Sequence, residues 1–108
     1  MQELKSIESV QKAIKEGAVL LYVSAPNCNV CDALKIKVEE LFSTEFPKVK
    51  LYEANISVVP ELAGEFQIFS APTMLIFFEG QEFAREGRNV SLELLSRRVE
   101  KVYKLYFE

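Results

Sequence analysis

Six consecutive apolar residues, Ala18 to Val23, limit the folds open to this chain more than any other segment. The run is short, rich in β-forming side chains and bounded by Gly17 and Pro26, which favours a strand over a helix. A strand that is apolar on both faces has to be covered on both faces. We therefore predict an α/β fold in which this strand lies inside the sheet.

The remaining sequence alternates between helical and strand patterns, in the order α-β-α-β-α-β-β-α. The predicted elements are a first helix capped by Ser6 and ended by Gly17, the strand Ala18–Val23, a long helix that follows the cysteines and ends at Pro47, the strand Val49–Ala54, a short helix Pro60–Phe66, the strands Thr73–Phe78 and Glu82–Arg88 joined at Gly80, and a last helix capped by Ser91. A short strand within Gln2–Lys5 can precede them. This order predicts one domain over residues 1–108, a three-layer α/β/α sandwich with a mixed sheet of four to five strands.

The composition limits the possible functions. The chain has 108 residues, of which 49% are hydrophobic, and a formal net charge of −3. An acidic chain with scattered basic residues lacks the basic face that nucleic acid binding requires. No apolar run approaches the roughly 18–20 residues that span a bilayer, and the N-terminus has no signal-peptide core. We expect a cytoplasmic monomer that binds neither nucleic acid nor membranes.

The chain has two cysteines, Cys28 and Cys31, and no histidine. Cys28 lies where the buried strand gives way to the long helix, so free backbone N–H groups and the positive end of the helix dipole favour its thiolate. Cys31 lies one helical turn further on, close enough to form a disulfide. We predict a redox-active dithiol in which Cys28 is the exposed nucleophile and Cys31 is the more buried resolving residue.

Two other interpretations of the cysteines stay open. They can be structural residues, because free cysteine packs well in a core. They can also be half of a metal or iron–sulfur site shared between two subunits, since no other cysteine or histidine completes such a site within one chain. The sequence favours the dithiol, and we expect no metal.

A second motif, Ser-Ala-Pro-Thr at residues 70–73, stands at the start of the predicted strand Thr73–Phe78. Proline cannot donate to a sheet, so it belongs at the first position of a strand. A Cys-x-x-Cys at a strand-to-helix junction, followed later by Pro-Thr, resembles the thioredoxin family. Residues 25–31 look like the active-site loop of that family, and residues 78–80 like the turn after its fourth strand. The resemblance covers nearly the whole chain.

The resemblance implies a thioredoxin fold and a thiol–disulfide oxidoreductase, active in electron transport and cell redox homeostasis. Its partners would be protein disulfides or thiols, with a separate reductase or thiol pool as electron donor and no cofactor. It also implies that Pro72 is cis and packs beside the cysteines, and that the Ala71 backbone pairs with an extended substrate peptide. The substrate-binding residues that it implies are Asn27, Val30, Ala71, Pro72 and Thr73.

Five residues depart from the pattern of the family. The usual tryptophan is Asn27, the usual Gly-Pro between the cysteines is Asn29-Val30, the buried acid is Tyr22, and a lysine beneath the site aligns with Glu53. Tyrosine is a poor proton carrier near neutral pH, because its reference pKa is about 10. We therefore hypothesise that Glu53 relays protons for Cys31, the alternative being an exposed strand carboxylate. Without a proline between the cysteines we expect a less strongly reducing site.

Two further functions stay open beside disulfide reduction. The missing acid and tryptophan suit a redox-inactive thioredoxin-fold adaptor or interaction module, because a fold does not fix a function. The cysteine pair can also serve as a thiol-based redox sensor. Insulin reduction, compared between the wild type and Cys28→Ser, separates these functions.

Overall fold

A computed structural model describes residues 1–108 as a five-stranded mixed sheet covered by helices on both faces. Along the chain the elements are β1 (Gln2–Leu4), α1 (Ile7–Ala13), β2 (Ala18–Ser24), α2 (Asn29–Glu45), β3 (Lys50–Asn55), α3 (Leu62–Phe66), β4 (Thr73–Phe78), β5 (Gln81–Glu86) and α4 (Leu92–Phe107). The predicted α/β/α sandwich is confirmed, and the short first strand is present. None of the four helices is long and apolar enough to cross a membrane.

The apolar run that begins at Ala18 forms the central strand of the sheet. The strand order is β1-β3-β2-β4-β5, and every residue of β2 is buried. β2 runs parallel to β3 and antiparallel to β4, so that Val23 lies opposite both Ala54 and Thr73. The ends of β2 and β3 and the start of β4 therefore meet at one edge of the sheet, which is the edge that holds both motifs.

Each face of the sheet has its own core. On one face, residues of α1 and α3 such as Val10 and Leu62 pack against the odd-numbered residues of β2. On the other face, α2 and α4 pack against the even-numbered residues, with Phe42 and Val99 fully buried. Alternate β2 side chains point to opposite faces, which is why Tyr22 lies on the same face as α2.

Several predicted boundaries differ from the observed ones. β3 is Lys50–Asn55 rather than Val49–Ala54, and α3 begins at Leu62 rather than at Pro60. Two further differences have a clear physical cause. α1 ends at Ala13 rather than at Gly17, because the chain tightens into i→i+3 hydrogen bonds before Gly17, at a φ of 92°, turns it into β2. β5 ends at Glu86 rather than at Arg88. Its partner strand, β4, begins directly after Pro72. Because proline has no N–H to extend the hydrogen-bond ladder, the pairing of β5 stops at Glu86.

Candidate active site

Helix α2 begins at Cys28, and the sulfur of this residue caps the helix. The backbone of Cys28 is extended (φ −110°, ψ 93°), and its Sγ accepts a hydrogen bond of 3.1 Å from the N–H of Cys31. The N–H of Asp32 donates to the Cys28 carbonyl at 3.3 Å. Serine and aspartate usually occupy such a position. A sulfur there faces the free N–H groups and the positive end of the helix dipole, which stabilise a thiolate.

The two cysteines are joined as a disulfide. Their sulfur atoms are 2.16 Å apart and their Cα atoms 5.2 Å apart. Cys31 is 1% exposed, whereas Cys28 is half-buried. The predicted difference in burial between the two residues is confirmed, although Cys28 is less exposed than expected. An incoming thiol reaches the sulfur of Cys28 more easily than that of Cys31.

Tyr22 lies directly beneath Cys31. Its side chain is fully buried, and its hydroxyl donates a hydrogen bond of 2.7 Å to the main-chain oxygen of Cys31. Burial, followed by the negative charges of Glu53 and Asp32, raises the pKa of Tyr22 to about 12. The hydroxyl therefore stays protonated across the physiological pH range and acts as a hydrogen-bond donor.

Glu53 faces the site from β3, where it is the register partner of Tyr22. Its Oε1 lies 2.8 Å from Nζ of Lys35, a residue of α2 one turn beyond Cys31. The hydrogen bond to Glu53 raises the pKa of Lys35. The Glu53 side chain is 18% exposed, so the alternative of an exposed strand carboxylate is wrong, while the proton relay stays a prediction. Sequence reasoning missed Lys35, although its i+4 spacing from Cys31 places both on one helix face.

The loop before β4 brings the second motif to the same edge of the sheet. The peptide bond between Ala71 and Pro72 is cis. Thr73 is buried, and its hydroxyl donates to the Ser70 carbonyl at 2.7 Å, which closes the loop. Ala71 and Cys28 both pack against the core on the α2 face. The two motifs are therefore parts of one surface region.

The other predicted binding residues lie on the rim of this region. Asn27 is exposed with a φ of 55°, a left-handed conformation that asparagine tolerates better than most residues. Val30 is 39% exposed. Sequence reasoning missed Phe69, an exposed aromatic residue in the loop before Pro72. It also missed Arg85. The Arg85 guanidinium donates to the carbonyls of Phe66 and Gln67 and so holds the end of α3, where the loop to Pro72 begins.

Comparison with known proteins agrees with this geometry. The family model described as Thioredoxin matches residues 3–101. The chain belongs to the thioredoxin family. A thioredoxin-like protein of Bacillus subtilis, YdfQ, is 37% identical over 107 residues, which cover 98% of this chain and 95% of the relative. The thioredoxin of Chlamydia trachomatis is 31% identical over 85 residues, 79% of this chain and 82% of the relative.

Solved structures agree on the fold. The crystal structure of thioredoxin from Trypanosoma brucei brucei superposes with a TM-score of 0.80 at 20% identity, over 94% of this chain and 89% of that one. At this identity the match shows the thioredoxin fold alone. Family membership and a cysteine pair at disulfide distance together support a thiol–disulfide oxidoreductase.

Proposed function

We propose that this protein reduces disulfide bonds of other proteins, with Cys28 as the nucleophile and Cys31 as the resolving residue. The observation that carries the proposal is the position of the Cys28 sulfur at the start of α2, hydrogen-bonded to the Cys31 N–H and bonded to the Cys31 sulfur. A thiolate at that position is stabilised by the helix start and is accessible to substrate. It also lies close enough to Cys31 to form a disulfide with it.

In the first step, the Cys28 thiolate of the reduced protein attacks one sulfur of a substrate disulfide. The substrate S–S bond breaks, and a mixed disulfide forms between Cys28 and the substrate. The second substrate sulfur leaves as a thiolate and takes a proton from solvent. The helix N-terminus makes this attack easier because it increases the fraction of Cys28 present as thiolate at neutral pH.

In the second step, Cys31 loses its proton and attacks the Cys28 sulfur. The mixed disulfide breaks, the Cys28–Cys31 disulfide forms, and the substrate leaves with both sulfurs reduced. Two electrons have passed from the dithiol to the substrate. A separate reductase or a thiol pool then returns two electrons to the Cys28–Cys31 disulfide, because the chain itself holds no other redox group.

Substrate binding is assigned to the loop that holds the cis peptide. An extended substrate peptide pairs with the backbone of Ala71, as an added strand would. A shallow cavity beside this loop, lined in part by Phe69, Ser70 and Thr73, gives the peptide room to continue. Asn27 and the exposed side chain of Val30 contact the substrate from the cysteine side.

Glu53 is proposed to take up the proton of Cys31 during the second step, from its place beside Tyr22 on the neighbouring strand. The matched test is Glu53→Gln, which keeps the shape of the side chain and removes its charge. The variant should lower the rate of disulfide reduction most strongly at the acidic end of pH 6–9. A rate profile identical to that of the wild type across this range removes Glu53 from the mechanism.

The proposed function is tested by insulin reduction with a chemical reductant as electron source. The wild type should accelerate the reaction, and Cys28→Ser should abolish the acceleration. Cys31→Ser should instead trap mixed disulfides with its substrates, which identifies them. If the wild type gives no acceleration, the protein is not a general disulfide reductase, and an adaptor role becomes the better hypothesis.

A further inference from the structure

We propose that Tyr22 is the positioning residue of the dithiol: its hydroxyl ties the Cys31 main chain to the sheet and so holds the Cys31 N–H on the Cys28 sulfur. The inference deepens the proposed function and rests on it only in assuming that Cys28 reacts as a thiolate. It assigns a role to the position at which the chain lacks the acid of its family. The Tyr22 hydroxyl is hydrogen-bonded to the Cys31 carbonyl, so it acts through the main chain of Cys31.

The anchor is rigid at its sheet end. Tyr22 belongs to the central strand and pairs with Glu53 on one side and with Met74 on the other. Its side chain is fully buried, and a buried aromatic ring in a packed core has one available position. The hydroxyl at the end of this ring is thus held at a fixed height above the sheet, where it meets the carbonyl of Cys31.

The first turn of α2 depends on that anchor. Its own hydrogen bonds, from the Cys31 N–H to the Cys28 sulfur and from the Asp32 N–H to the Cys28 carbonyl, join residues within the turn. The bond from Tyr22 joins the turn to the sheet. The ion pair between Lys35 and Glu53 makes a second connection, one turn later. Without the Tyr22 hydroxyl, the turn that carries both cysteines loses its nearest fixed point.

The position of the Cys31 N–H matters because a hydrogen bond to a thiolate is charge-assisted and depends steeply on geometry. Because the Cys31 N–H is already held in place, no entropy is lost in ordering it when it stabilises the Cys28 thiolate. A hydroxyl suits this role better than a carboxylate would, because it donates to the carbonyl and adds no negative charge beneath the thiolate. Its pKa of about 12 keeps the donor proton in place at any pH at which the cysteines react.

The test is Tyr22→Phe, which keeps the ring and removes the hydroxyl. Two readouts are measured on the reduced protein: the pH midpoint of Cys28 alkylation by iodoacetamide, and the equilibrium constant between the dithiol and glutathione disulfide. The midpoint should rise, so that the alkylation rate below it falls about threefold, the size expected for one weakened hydrogen bond. The equilibrium should move about threefold towards the protein disulfide, because the thiolate form is less stable.

The chain offers a matched control in Tyr52→Phe. The Tyr52 hydroxyl donates to Glu16, and the ring packs on the opposite face of the sheet from the cysteines. The charged groups near Tyr22, namely Asp32 of α2, Glu53 of β3 and its partner Lys35, are unchanged in both variants. Met74, the register partner of Tyr22 on β4, is uncharged. The control should leave the midpoint and the equilibrium constant at their wild-type values.

Unchanged readouts in a folded Tyr22→Phe protein, with only its free energy of unfolding lowered, would show that the hydroxyl is merely structural and overturn the proposal. A second measurement needs no variant: nuclear magnetic resonance of the wild type should detect a slowly exchanging Tyr22 hydroxyl proton. Exchange as fast as in free tyrosine also overturns it. Neither readout uses a protein substrate, so a failure of insulin reduction would remove the proposed function and leave this inference standing.

Discussion

Helices α2 and α4 have the same capping geometry at their N-termini, but the capping atom is a sulfur in α2 and an oxygen in α4. The residue before each helix has an extended backbone, and its side chain accepts a hydrogen bond from the N–H three residues on. In α2 the acceptor is the sulfur of Cys28, 3.1 Å from the Cys31 nitrogen. In α4 it is the hydroxyl of Ser91, 3.3 Å from the Leu94 nitrogen. The two starts therefore separate what a helix cap does for stability from what it does for chemistry.

The comparison shows that a helix start becomes a reaction site under two conditions. The capping group must be acidic enough to ionise, and the neighbouring residues must support the reaction. A serine hydroxyl does not ionise near neutral pH, so at α4 the free N–H groups only stabilise the helix. A thiol has a reference pKa of about 8.5, close enough for the same N–H groups to favour its thiolate. At α2 the sheet supplies Tyr22 beneath the turn, and the cis-peptide loop lies at the same sheet edge. The start of α4 has no comparable cysteine partner.

The largest expected effect comes from making the start of α2 like that of α4. In Cys28→Ser, alkylation by iodoacetamide at pH 7 should fall by about 100-fold, because the remaining thiol of Cys31 is buried. The free energy of unfolding, measured under reducing conditions, should stay within about 0.5 kcal/mol of the reduced wild type, since serine is a good cap. A loss of more than about 1 kcal/mol would mean that the sulfur has a structural role that the hydroxyl cannot replace.

The next effect concerns the donors around the Cys28 sulfur. Val30 is the second residue of α2, and its N–H is one of the free donors at the helix start. Val30→Pro removes this donor, so the reduced form should lose stability and the reduction potential should fall by about 30 mV, a tenfold change in the equilibrium with glutathione. Val30→Ala keeps the N–H and is the control for the lost side chain, with an unchanged potential expected.

The same reasoning sets the wild-type potential. Because Val30 provides an N–H where the family usually has proline, the site should be less reducing than an ordinary thioredoxin, with a potential above about −270 mV. Equilibration with glutathione measures it directly. A value at or below that limit contradicts the view that the donor count at this helix start controls the potential.

Much of this comparison could be predicted from the sequence. The apolar run at 18–23, the helix signals and the spacing of the cysteines depend on local properties, namely side-chain period and cap chemistry. They correctly placed β2 at the centre of the sheet and Cys28 at the start of α2. Ser6 and Ser91 were correctly identified as caps for the same reason.

The polar cluster beneath Cys31 could not be predicted in the same way. The contact between Lys35 and Glu53 depends on the register of β3 against β2 and on the rotation of α2 over the sheet, which no local pattern contains. The hydrogen bond from Tyr22 to the Cys31 carbonyl depends on the height of the helix above the sheet. The sequence singled out Tyr22 only because it replaces the buried acid of the resembled family, and this replacement does not show what the hydroxyl contacts.

A smaller effect should follow at α4, where the cap has no chemical role. Ser91→Ala removes the hydroxyl that accepts the Leu94 N–H, and the free energy of unfolding should fall by about 1 kcal/mol, as for other lost caps. Chemical denaturation measures this loss. The glutathione equilibrium of the cysteines should not change. A shift in that equilibrium would mean that the two helix starts are coupled and cannot be compared as independent sites.

The smallest effect is the pH dependence of the ion pair between Lys35 and Glu53, which has no counterpart at the start of α4. The carboxylate raises the pKa of Lys35 in the folded protein. A raised pKa means that the stabilisation is complete below the ordinary lysine value of about 10.5 and is lost as the pH rises through the higher, folded value. The wild type should therefore be more stable than Glu53→Gln at pH 8–9, by at most about 1 kcal/mol for a pair that is partly exposed to solvent. The difference should shrink as the pH rises above about 10.5, a window that urea denaturation at stepwise increasing pH can follow.

Lys35→Met, which removes the other partner, should show the same loss at pH 8–9 and the same convergence at high pH. A difference that stays constant through this window would mean that Glu53 stabilises the protein by packing rather than by its charge, and the cluster beneath Cys31 would then hold the first turns of α2 through the Tyr22 hydrogen bond alone.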